Sequence, residues 1–127
     1  MIRMSEAEFA GVAEQAVASI PAHLRKYLQN VLIEVRNRPT PDLLVDDLAD
    51  VPPDELLGMY LGRSIDEPDV GGSSPPLPDR VLIFRENLCA MCDSREELIE
   101  EIRVTVLHEI GHHFGMDEAD LEELGYD

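Results

Sequence analysis

The sequence predicts a single α+β domain of 127 residues. This prediction rests on the order of three patterns along the chain: a helical repeat near the start, three short apolar runs in the middle and a long helical repeat near the end. Strands and helices do not alternate regularly, as they would around a parallel sheet. Hydrophobic residues make up 44% of the chain, which is typical of a globular protein.

The first helix is predicted over residues 5–19. Ser5 and Glu8 have the spacing of a capping box, in which the two side chains satisfy free backbone N–H groups at the helix start. The apolar residues that follow recur every three or four positions, as on one buried helix face: Phe9, Val12, Ala13, Ala16, Val17 and Ile20. Pro21 ends this helix, and a shorter helix is predicted over residues 22–29.

Three strands are predicted in the middle of the chain, at residues 30–36, 57–65 and 81–84, where large apolar residues are concentrated. A short helix or loop is expected over residues 42–50, and a turn or short helical piece over residues 87–92. Residues 66–79 (DEPDVGGSSPPLPD) combine Gly, Ser and Pro, which predicts a flexible surface loop or the rim of a cleft.

The longest helix is predicted over about residues 94–114. Ser94 and Glu97 give a second capping-box spacing, and acidic residues favour the positive end of the helix dipole. Gly115 is expected to end the helix, because glycine readily adopts the left-handed conformation found after helices. A last short helix is predicted over about residues 118–124.

The chain is strongly acidic, with 27 acidic and 10 basic residues and a net charge of −17. Such a surface repels phosphate groups, so we expect neither nucleic acid nor an anionic membrane as a partner. No apolar run approaches the roughly 18 residues of a membrane span, and the start, MIRMSEAEFA, lacks the apolar stretch of a signal peptide. We therefore expect a cytoplasmic protein.

Residues 108–118, HEIGHHFGMDE, contain two histidines with the spacing of a metal site. His108 and His112 are about one helical turn apart, so both imidazoles can bind a single Zn²⁺ from one helix face. Glu109 lies beside the pair, where its carboxylate can take a proton from a metal-activated water. The H-E-x-x-H pattern is the signature of zincins, and it predicts peptide-bond hydrolysis with Glu109 as general base.

A catalytic zinc usually has three protein ligands, and the third is expected after the helix. Gly115 permits a sharp turn, and Glu118, six residues after His112, is the expected third ligand. Asp117 is the alternative, and both acids could instead be solvated residues at the start of the last helix. His113 points away from the metal face and is expected either to be structural or to support the ligands without binding the metal. One Zn²⁺ per chain is expected, although such a site also suits Fe(II), Co(II) or Mn(II).

Two alternatives remain open. Cys89 and Cys92, together with His108 and His112, give a spacing close to that of a Cys₂His₂ zinc finger. A zinc finger would leave Glu109 without a role, and the acidic surface disfavours the binding of DNA. The cysteines are therefore expected to be small apolar core residues. The other alternative is a catalytically inactive metal-binding module with an interaction or regulatory role.

Several segments carry a resemblance to a known family: LLGMYLG (residues 56–62), PDRVLIFR (78–85), REELIEEIR (95–103), TVLHEIGHHFG (105–115) and LEELGY (121–126). On these segments the chain resembles the small bacterial zincin-like metallopeptidases, sometimes called minimal metalloproteases. The resemblance implies a reduced zincin fold, in which a small mixed sheet packs against helices and one helix carries the histidines. It also implies a zinc-dependent peptidase with an acidic ligand at Glu118, where the family usually has Asp.

The zincin resemblance has two further implications. The strand before the metal helix, residues 81–85, should border the cleft, where a peptide could add as an extra strand. A hydrogen-bond donor should also stabilise the oxyanion that forms during hydrolysis. Tyr60 and Tyr126 are the candidates by residue type.

Overall fold

The computed structural model describes residues 1–62 and 78–113, apart from the side chain of Asp47. Its elements are, in chain order, helix α1 (Glu6–Ala18), a 3₁₀ helix (Ala22–Leu28), strand β1 (Val31–Arg36), two 3₁₀ turns (Pro41–Leu43 and Asp46–Leu48), strands β2 (Gly58–Leu61) and β3 (Asp79–Phe84), and helices α2 (Arg85–Met91) and α3 (Arg95–His113). The predicted α+β class is confirmed. The predicted loop over residues 66–79 and the predicted last helix fall almost entirely outside the described residues.

Both predicted helix caps are present. The Ser5 hydroxyl accepts a hydrogen bond from the backbone N–H of Glu8 at 3.2 Å and forms the N-cap of α1. At the start of α3, the Ser94 hydroxyl accepts from the N–H of Glu97 at 3.1 Å. The Glu97 carboxylate in turn accepts from the N–H of Asp93 at 2.8 Å. These bonds satisfy donors that a helix start leaves without intrahelical partners.

The three strands form a mixed sheet in the order β1–β3–β2. β1 runs parallel to β3, with Val31 opposite Asp79, and β2 runs antiparallel to β3, with Gly58 opposite Ile83. Among the described strands, β2 is therefore an edge strand, and it is the strand antiparallel to its neighbour.

The central position of β3 overturns one prediction. Backbone hydrogen bonds to β1 and β2 occupy both sides of β3, so a peptide cannot add to residues 81–85, and that prediction is wrong. The residues Val81 to Phe84 are all fully buried, because alternate side chains enter cores on opposite faces of the sheet.

The main core lies between α1, α3 and one face of the sheet. The predicted stripe of α1 is buried there, except for Val17, which is only partly buried. Helix α3 contributes residues at four-residue spacing: Leu98, Ile102, Val106 and Ile110. A second, smaller cluster on the other face contains Met59, Leu82 and Phe84, with leucines of the 3₁₀ turns packed against it. The core thus fixes α3 along its buried face.

Gly58 allows β2 to lie directly against α3. A Cβ atom at this position would be 2.7 Å from Cγ2 of Thr105 and 2.8 Å from the carbonyl oxygen of Leu82. We expect Gly58→Ala to lower the free energy of unfolding by about 1–3 kcal/mol, the usual cost of overpacking a core. Urea denaturation measures this change.

Gly11→Ala is the matched control for this substitution. Gly11 lies within α1, and a Cβ atom there would meet nothing within 4 Å. We expect this change to raise the free energy of unfolding by about 0.5–1 kcal/mol, because alanine favours a helix over glycine. Equal stability of Gly58→Ala and wild type would show that β2 and α3 can separate at no cost.

Candidate metal site

The candidate site lies on the last turns of α3. His108 and Glu109 are both partly buried, since they lie between the buried residues Leu107 and Ile110. His112 follows one turn later and is exposed. The helix therefore holds the first histidine partly buried and presents the second to solvent.

The two predicted ligands lie side by side. The ring centroids of His108 and His112 are 4.3 Å apart, and their planes are tilted by 46°. This pairing follows from their four-residue spacing on a helix. Imidazole nitrogens are preferred ligands of Zn²⁺, and two rings at this separation can bind the same ion. The donor set therefore fits a zinc ion.

Among the described residues, no third ligand joins His108 and His112. Within residues 1–62 and 78–113, no group of three or more His, Cys, Asp or Glu side chains could hold a metal ion. The predicted ligand Glu118, its alternative Asp117 and the candidate donor Tyr126 all lie outside this part of the chain. Their roles stay predictions.

Glu109 lies in a partly buried environment next to His108 in the sequence. Burial raises the pKa of its carboxyl group above the ordinary value, and the nearby charge of His112 partly opposes this shift. A carboxylate of raised pKa takes up a proton more readily than one on the surface.

The cysteines do not form a metal site with the histidines. Cys89 is 6% exposed and Cys92 is 1% exposed, and both belong to the main core. Burial raises the pKa of both thiols, that of Cys92 to about 11, so they stay protonated at neutral pH. All four residues of the finger pattern are described, yet they do not come together as a metal-binding group. The zinc-finger alternative is therefore wrong, and the prediction of apolar core residues is confirmed.

A neighbouring cluster joins three distant parts of the chain. The hydroxyl of Tyr60, on β2, donates to Oδ2 of Asp79 at 2.6 Å. The imidazole of His113 stacks on the Tyr60 ring, with centroids 4.0 Å apart and an interplanar angle of 10°. Its Nε2 atom lies 3.8 Å from the same oxygen of Asp79. The sequence gives no signal for Asp79 as a partner of Tyr60 and His113, because only tertiary folding brings these residues together.

Tyr60 therefore already uses its hydroxyl hydrogen within the protein. Burial is the main cause of a raised pKa for this phenol, and the hydrogen bond to Asp79 adds to it. The group thus stays neutral and remains a donor. Its predicted role as oxyanion donor requires the bond to Asp79 to break, and that role stays a prediction.

Within the described residues, no helix is both long and apolar enough to cross a membrane. Cytoplasmic location and the exclusion of nucleic acid as a partner stay predictions from the sequence.

Comparisons with known proteins support the zincin-like family and the α+β fold. The sequence profile of the family described as zincin-like metallopeptidase matches residues 28–126. A search of curated proteins found no match. Among solved structures, the chain is similar to a conserved hypothetical protein from Thermus thermophilus, with a TM-score of 0.51 and 19% identity. That match covers 87% of this chain and 94% of the other, and it supports the fold alone.

Proposed function

The chain belongs to the zincin-like metallopeptidase family, and on this premise we propose that it hydrolyses peptide bonds at a zinc site on α3. The observation that carries the proposal is the pair of imidazoles of His108 and His112, 4.3 Å apart, with the partly buried Glu109 beside them. This arrangement supplies two ligands and a base from one helix. Glu118 is the proposed third ligand, and Asp117 is the alternative.

Glu109 is the proposed general base. Zinc, when bound, polarises the carbonyl of the substrate and lowers the pKa of a water molecule at the site. The Glu109 carboxylate then accepts the proton of the attacking water and returns it to the leaving amine. Its partial burial supports this role, because a base surrounded by less water competes better for the proton.

Strand β2 is the proposed support for the peptide substrate. A peptide adds most readily to the edge of a sheet, where backbone N–H and C=O groups can pair with it. β2 is at an edge among the described strands, and Gly58 brings it into direct contact with Thr105 of α3. A peptide along β2 would therefore pass close to the helix that carries the candidate site.

Zinc content tests the proposed metal centre. We expect about one zinc per chain in freshly purified protein by mass spectrometry, the usual stoichiometry of such sites. His108→Ala, His112→Ala and Glu118→Ala should each lose the metal, because each removes a ligand. Zinc that stays bound to the Glu118→Ala variant would indicate that Asp117 or water is the third ligand.

His23→Ala is the control, since His23 is exposed on the 3₁₀ helix Ala22–Leu28 and should not affect the metal. A wild-type protein that takes up no zinc, even when zinc is supplied, would contradict the proposed function.

A further inference from the structure

The two histidines of the candidate site are held unequally by the core. His108 is partly buried between Leu107 and Ile110, which are 3% and 2% exposed. His112 and His113 are both exposed in the last described turn of α3. The core therefore fixes the side chain of His112 less firmly than that of His108, and contacts outside the core can add to the support of this turn.

The cluster of Tyr60, Asp79 and His113, called here the Tyr60 clamp, acts on this turn. His113 is the immediate neighbour of His112, and its ring lies flat on the Tyr60 ring at 4.0 Å. The Tyr60 ring is itself fixed by the hydrogen bond of 2.6 Å from its hydroxyl to Asp79. A hydrogen bond to a carboxylate is about twice as strong as one between neutral groups.

The Tyr60 clamp is the second of two contacts between β2 and α3, and the first lies earlier along the helix. Gly58 and Tyr60 are two positions apart on β2, so they face the same side of the sheet. Gly58 lies against Thr105, and Tyr60 lies against His113. One strand thus contacts α3 at two levels, and the second level is the turn that carries His112.

We propose that Tyr60, Asp79 and His113 are positioning residues, which fix the last described turn of α3 against the sheet and so hold His112 for metal binding. This inference rests on the proposed function, because it assigns His112 as a ligand. It gives His113 a task that the H-E-x-x-H pattern does not contain. Residues that orient ligands in this way affect metal affinity by about 10- to 100-fold when replaced.

Zinc affinity in a graded set of variants tests the clamp. Tyr60→Leu removes the stack and the hydroxyl, and we expect it to weaken zinc binding about 10- to 100-fold. Tyr60→Phe keeps the stacking ring and should lie between wild type and Tyr60→Leu. Competition with a chromophoric chelator measures the affinity. Tyr27→Leu and Tyr27→Phe, on the 3₁₀ helix Ala22–Leu28, are matched controls expected to bind zinc as wild type does.

Two further measurements separate positioning from a general loss of stability. The visible absorption of bound Co(II) reports ligand geometry, and we expect it to change in Tyr60→Leu and to recover partly in Tyr60→Phe. Hydrogen exchange should become faster at the amides of residues 110–113 and stay unchanged at residues 98–106. Should Tyr60→Leu fail to fold, Tyr60→Phe and Asp79→Asn decide the question by the same measurements.

Unchanged affinity, cobalt spectrum and exchange in the folded variants would overturn the clamp. A wild-type protein that binds no zinc would instead overturn the proposed function, and with it the role of the clamp in metal binding. The exchange measurement needs no metal, so it still shows whether these residues hold the turn.

Discussion

Glu109→Gln is expected to slow peptide hydrolysis by about 10²- to 10⁴-fold, the usual contribution of a general base, while zinc stays bound. The amide has the shape of the carboxylate but cannot accept the proton of the attacking water. Glu109 is not a proposed ligand, so the two imidazoles and the third ligand should keep the metal. The measurement is the rate of cleavage of a quenched fluorescent peptide library, with zinc content determined on the same samples.

Glu101→Gln is the matched control, because Glu101 is also a partly buried acid of α3 and lies two turns before the site. We expect this variant to cleave at the rate of wild type. Loss of zinc from Glu109→Gln would show that Glu109 is a ligand. An unchanged rate with zinc bound would assign the base to another group.

The same experiment separates the peptidase from the inactive module. If wild type binds zinc but cleaves no peptide of the library, Glu109→Gln has no rate to lower. The site would then serve binding or regulation, as in the alternative considered from the sequence. Cleavage by wild type that disappears with Glu109→Gln excludes this alternative.

The predictable parts of the fold are those that depend on neighbours along the chain. The caps at Ser5 and Ser94 follow from short patterns, and both are present. The pairing of His108 with His112 follows equally from a four-residue spacing on a helix. Local geometry determines all of these contacts, so one sequence was sufficient to predict them.

The strand order could not be predicted in the same way, because pairing joins distant residues. A signal for the position of β3 was nevertheless present. Residues 81–84 read VLIF, apolar at every position, which is typical of a strand buried on both faces. That pattern argues against the peptide partner assigned to these residues, and the pairing of β3 with both neighbours confirms it.

The Tyr60 clamp could not be predicted for the same reason as the strand order, because it joins residues that are distant along the chain. Its members lie at positions 60, 79 and 113, on three elements that meet only in the folded chain. Residue type alone suggests a different role for Tyr60, that of oxyanion donor, and the motif spacing suggests only a structural or supporting role for His113. Neither expectation identifies Asp79 as a partner, since the residues that it contacts lie far away along the chain.

Phe9→Ala is expected to lower the free energy of unfolding by about 3–5 kcal/mol, the usual cost of removing a buried phenylalanine. Phe9 is fully buried on α1, in the core cluster that also contains Leu98 and Ile102 of α3. Urea denaturation with a chelator present measures the change without any contribution from metal binding. Leu32→Ala is the control, because Leu32 is 55% exposed and its removal should leave stability nearly unchanged.

Phe9 lies before the part of the chain that matches the family, which begins at residue 28. Polar contacts also join α1 to α3, such as Arg95 to Gln15 at 3.0 Å and Arg103 to Ser19 at 3.1 Å. Exposed hydrogen bonds of this kind contribute little, because water replaces them when they break. Apolar burial must therefore attach α1, and a loss below about 1 kcal/mol in Phe9→Ala would contradict this, since cavities in a packed core cost more. A loss of unfolding free energy of the expected size would show that α1 helps to hold α3, the helix that carries His108 and His112.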